Sequence, residues 1–101
     1  MIARGEKFEI VISHRKDPKK FKMIVECIHV SEQVFRFSIK GGKKEMTMEK
    51  LLLKKTNPWK IAKMNFKFEG DDESIAMAIM NIQDRIEEYI NPPLKPNWYK
   101  E

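Results

Sequence analysis

Cysteine is almost absent from this chain, which carries one, Cys27. A lone thiol excludes an intrachain disulfide framework and points to a reducing, cytoplasmic setting. Long apolar runs are missing too. No stretch approaches the ~20 apolar residues that span a bilayer. Met1-Ile2-Ala3-Arg4 leads into charge rather than into an apolar signal segment, so no membrane association is expected. Histidine is limited to His14 and His29. Cys27 and His29 lie two apart on an expected strand and so share a face. Together with His14 they offer three ligands without a recognisable spacing, whereas a structural zinc needs four. No phosphate loop, oriented nucleophile or other catalytic signature stands out, and no cofactor is implied. The chain reads as a binding protein, not an enzyme.

What is present suits one modest core. Of 101 residues, 42% are hydrophobic and 35% charged, against the ~25% charged of an average globular protein. That material builds one domain spanning residues 1–101 and is too little for two. The charge is unevenly placed. From Met1 to Lys67 there are 17 Lys and Arg against 7 Asp and Glu, a balance of +10. From Phe68 to Glu101 there are 3 basic and 8 acidic residues, a balance of −5. A basic body and an acidic C-terminal segment make a dipole at domain scale, suited to recruiting a polyanion or to contacts between copies.

The pattern then assigns the elements. Period-two alternation predicts strands near 7–13, 21–30, 34–40, 44–53 and 59–69, separated by turn signals. Pro18 helps exclude the loop after Ser13 from a central strand. Gly41-Gly42 marks a tight hairpin. In the last strand Trp59 and Ile61 share one parity while Met64, Phe66 and Phe68 share the other, which predicts a bulge near Ile61-Ala62. After Gly70 the period becomes 3.6. Asp71 or Asp72 caps a helix near 71–90, and Ile75, Ala78, Ile79, Ile82, Ile86, Tyr89 and Ile90 form its apolar stripe. Asn91-Pro92-Pro93 ends it. The expected fold is α+β: an antiparallel meander of about five strands with one C-terminal amphipathic helix packed on one face, in two layers. Residues 1–5 and 92–101 read as mobile or docking tails. This element order is similar to that of the single-stranded nucleic-acid-binding modules of the PUR type. The resemblance implies a sheet that binds single strands and carries no individual residue over.

Two sets of candidate site residues follow from the face left uncovered by the helix. One is basic: Lys22, Arg36, Lys40, Lys63 and Lys67 would contact a nucleic-acid backbone, with Arg15, Lys16, Lys19, Lys20, Lys43, Lys54 and Lys55 adding charge at the sheet ends. Glu9 and Glu26 dilute that face. The other set is apolar: Val11, Ile24, Ile28 and Val34 on the sheet, with Met77 and Met80 on the polar side of the helix. With Trp98 and Tyr99 of the tail, it would serve a protein–protein interaction module or a homodimeric accessory subunit. In both readings Cys27 fills the core.

Overall fold

The computed structural model describes residues 2–14, 17–67 and 70–91, with side chains described for these except at 13, 14 and 17–19. Five strands follow one another in the chain: β1 (Lys7–His14), β2 (Asp17–Val30), β3 (Val34–Gly41), β4 (Lys44–Leu51) and β5 (Trp59–Met64). They form one antiparallel sheet in the order β1-β2-β3-β4-β5. A single helix, α1 (Asp72–Ile90), follows and packs on one face, making two layers. Every connection joins neighbours, as short loops between alternating segments require.

Alternation sorts the side chains between the two faces. Ile10 and Ile12 of β1, Met23, Val25 and Cys27 of β2, and Phe35, Phe37 and Ile39 of β3 are buried, as are Met46 and Met48 of β4. Ala78, Ile82 and Ile86 of α1 close the core from above. Asp71 is the N-cap: its carboxylate accepts from the Ser74 backbone N–H at 2.8 Å, and Asp72 and Glu73 place further negative charge in the first turn. At the other end the Asn91 N–H donates to the Glu87 carbonyl. Tyr89 lies on the edge of the apolar stripe, and its ring stacks on Phe8 with centroids 3.7 Å apart.

The β3–β4 hairpin uses its two glycines differently. Gly42 holds φ +60° at the first turn position, where a two-residue loop of the glycine-first type needs it. Gly41 is the last residue of β3, and a Cβ there would come within 3.1 Å of the Met23 side chain and 3.3 Å of the Lys22 carbonyl. Its bare backbone lets β2 pass close by.

Several expectations need correction. β2 begins at Asp17, not at 21, and contains Pro18. The pairing explains why proline is tolerated: β3 reaches along β2 only as far as Ile24, so Asp17–Met23 bonds to β1 alone. β4 ends at Leu51, not at 53, because the Leu51 N–H closes onto the Pro58 carbonyl and the Leu52 N–H onto the Gln33 carbonyl. β5 ends at Met64, not at 69, where Asn65 turns its side chain back to the β3–β4 hairpin. Its amide oxygen accepts from Glu45 N–H at 2.8 Å, and its own N–H donates to the Glu45 carbonyl. Ile2, in the stretch read as a tail, is 4% exposed and belongs to the core.

Two bulges set which side chains share a face. The register passes from Thr47↔Lys63 to Met48↔Ile61, so Ala62 is the extra residue in β5, where the parity change predicts it. The second, in β2, is not visible in the alternation. The register passes from Cys27↔Phe37 to His29↔Arg36, with Ile28 inserted. Cys27 therefore faces the core and His29 the opposite side, where it is exposed; the pair does not share a face.

Candidate binding surfaces at the outer face and the two sheet edges

The face away from α1 carries most of both candidate sets, and the register shows their order. Lys22 stands beside Val11, Ile24 beside Glu9 and Lys40, Arg36 beside His29 and Glu49, Lys40 beside Glu45, and Lys63 beside Thr47. Lys67 lies past the end of β5. Two of the cations are engaged. Arg36 donates from Nε and Nη2 to one carboxylate oxygen of Glu49, at 2.9 and 2.7 Å, and the Glu49 side chain is only 14% exposed. Lys40 lies 3.9 Å from Glu45. The middle of this face is thus a mosaic of both signs.

The apolar set is also interrupted. Ile24, 45% exposed, has Glu9 and Lys40 across the strands and Lys22 and Glu26 along its own strand. Val11 lies diagonal to it, Ile28 sits in the bulge, and Val34 is half-buried at the far end of β3. Met77 and Met80 are exposed on α1. Trp98, Tyr99, Arg15 and Lys16 lie outside the described residues.

The strongest charge concentration is at one edge. Lys60 and Lys63 lie on β5, Lys54 and Lys55 in the loop that enters it, and Lys67 follows it; all are exposed. Lys43, in the β3–β4 turn, joins them because the Asn65 amide reaches its carbonyl. Among the described residues none of these six has an ion-pair partner. Lys44 sits over the Phe66 ring, 5.5 Å from its centroid. Nearby Lys50 is held by the helix instead. It forms an ion pair with Glu87 of α1 and lies over Trp59, which ties the helix to β4. Trp59 is half-buried against Phe37, so among the described residues no free ring platform accompanies the lysines. Loop lysines 43, 54 and 55 were legible as basic charge at the sheet ends. Lys60 was missed, although the expected meander already placed its strand at an edge.

The opposite edge, β1, differs in kind. A cleft of about 490 Å³ runs along it, lined by four consecutive strand residues, Phe8 to Val11, and by Lys20, Arg85, Glu88 and Tyr89. Arg85 and Glu88 pair with each other at 3.0 Å. At the end of the cleft the Tyr89 hydroxyl donates to the Glu6 carboxylate. That bond, with a further one from the Ala3 N–H, holds the Glu6 carboxyl below its ordinary value, and the Glu6 carboxylate in turn raises the Tyr89 phenol. Burial pushes the Cys27 thiol up, as suits a packing group rather than a nucleophile. Among the described residues no three His, Cys, Asp or Glu side chains gather as metal ligands, and no helix is long and apolar enough to cross a membrane. No protein-family model, curated protein or solved structure matches the chain.

Proposed function

We propose that this is a non-enzymatic binding domain that holds a polyanion, a nucleic-acid backbone above all, along the lysine edge of β5. The observation that carries the reading is the group of six exposed lysines at 43, 54, 55, 60, 63 and 67, unpaired among the described residues, while acids occupy the middle of the outer face and the helix. A strand of six residues extends roughly 20 Å, long enough to follow several phosphates. Among the described residues no exposed ring stands beside the lysines, so the contacts they offer go to phosphate rather than to base faces. The acidic helix on the other side orients the approach of a polyanion toward β5. The lone buried thiol suits a domain that works in the cytoplasm.

The test is binding of a labelled random single strand and of a duplex at ~50 and ~200 mM salt, where phosphate-dominated affinity falls by orders of magnitude. Charge reversal at Lys60, Lys63 and Lys67 together should abolish binding at the lower salt while leaving the thermal melt unchanged. No binding by the unaltered protein at low salt, or full binding by the triple variant, refutes the reading.

A further inference from the structure

The two rims of this sheet are protected unequally. β5 is short, bulged at Ala62, entered through Pro58 and studded with lysine, all features that discourage another strand from pairing with it. β1 has no proline or bulge over seven residues and one lysine, Lys7: its register with β2 is regular from Lys7 to Ser13 and shifts only between Ser13 and His14. The direction of its free groups follows from one bond. Cys27 N–H donates to the Glu6 carbonyl at 2.9 Å, which makes Glu6 and Cys27 a hydrogen-bonded pair. By the antiparallel alternation, Phe8, Ile10 and Ile12 turn their amides toward β2, and Lys7, Glu9 and Val11 turn theirs to the open edge. These outward groups have no ladder partner among the strands of the sheet.

We infer that the β1 edge is where a second copy of this chain docks, adding its own β1 antiparallel to form a continuous ten-stranded sheet. The cleft beside the edge carries both signs in equal number, Glu9 and Glu88 against Lys20 and Arg85. Arg85 and Glu88 already pair with each other, and a second copy brings the same balance of signs as the Glu9 and Lys20 that remain. A partner of one sign would leave half of these charges opposed. The backbone also selects the register. Centring on Glu9 sets two carboxylates directly opposite each other. Centring on Phe8 shortens the ladder, because Gly5, at φ +88°, already gives its N–H to the Cys27 carbonyl. Centring on Val11 runs into the register shift after Ser13. Centring on Ile10 pairs Lys7–Ser13 over its full length and places Glu9 opposite Val11 of the second copy. This inference goes beyond the polyanion reading and does not depend on it.

The test needs no nucleic acid. Sedimentation of the full chain across a dilution series should show a species of about 24 kDa, twice the 12.0 kDa chain, that dissociates on dilution. The Lys7, Glu9 and Val11 amides should then show hydrogen-exchange protection that rises with concentration. Val11→Pro removes an outward N–H and no β1–β2 bond, so it should abolish the dimer while far-UV circular dichroism stays native. For the register, Glu9→Cys and Val11→Cys proteins are oxidised separately and mixed. Hydrogen-bonded antiparallel partners have Cα atoms ~5.5 Å apart, within disulfide reach, so the mixture should cross-link and each protein alone should not. A 12.0 kDa species at every concentration overturns the proposal, whether the edge amides exchange freely or are protected equally at all dilutions, the second outcome meaning that the chain covers its own edge. A dimer that survives Val11→Pro overturns the placement on β1, and cross-linking of Glu9→Cys alone overturns the register.

Discussion

The β1 and β5 edges belong to one sheet and are built from similar alternating strands, yet they have become opposite surfaces. β1 lies closest to the helix, with Tyr89 stacked on Phe8 and Ile10 and Ile12 buried beneath α1. β5 carries the bulge that puts Met64 and Ile61 in the phase of Met46 and Met48, yet Ile61 stays 37% exposed. The lesson is that packing consumed apolar residues at one edge, and charge remained where packing was thin. A protein with a single helix over five strands cannot cover both edges equally, and its lysines mark the side left to water.

The largest expected contrast between the edges is in stability. Phe8→Ala should cost about 3 kcal/mol by removing a ring held between the core and Tyr89, while Ile61→Ala at the other edge should cost under about 1 kcal/mol. Urea denaturation of the two variants checks this, and equal losses would mean that the β5 edge is as well packed as β1. Next in size is the separation of free from engaged cations. Lys63→Ala should lower polyanion affinity about threefold to tenfold and reduce the salt slope by about one, whereas Arg36→Ala should change affinity less than about twofold. The reason is that Arg36 is already held by Glu49. A salt titration of each variant decides it, and a larger loss for Arg36 would move the binding surface back to the sheet face.

The smallest effect concerns pH. Glu6 is depressed in the folded chain, so the stability it contributes is present above the carboxylate's unfolded pKa and is lost as pH falls through the lowered folded value. Tyr89 is raised, so its contribution is present below the ordinary phenol value and is lost as pH rises through the raised one. Their contact is therefore fully formed from mildly acidic to mildly alkaline pH. Tyr89→Phe keeps the stack on Phe8 and removes the donor, and the Glu6 side-chain carbon followed by NMR should then titrate at higher pH. An unchanged midpoint would mean that the hydroxyl does not reach Glu6 in solution.

Much of this architecture was legible in the residues, for local physical reasons. The switch from period two to 3.6 after Gly70, the Asp71 cap and the parity change between Ile61 and Met64 each express a constraint acting within a few residues, and each has its counterpart in the fold. The bulge at Ile28 left no such mark, because Ile28, His29 and Val30 do not disturb an alternation that ends there in any case. Pro18 misled for a related reason: proline forbids a ladder bond on one side, and which side is free depends on how far β3 extends.

The sequence by itself determined that the chain forms strands and then a helix, which helix stripe is apolar, and that its charge is divided between a basic body and an acidic end. Those properties follow from hydrophobic periodicity, capping and composition, which act along the chain. Tertiary structure alone decided that Glu49 takes Arg36 out of the basic set, that Cys27 and His29 face apart, and that the amides of Lys7, Glu9 and Val11 point away from the sheet. Each of these depends on the register between strands distant in sequence, where a shift of one residue exchanges the two faces.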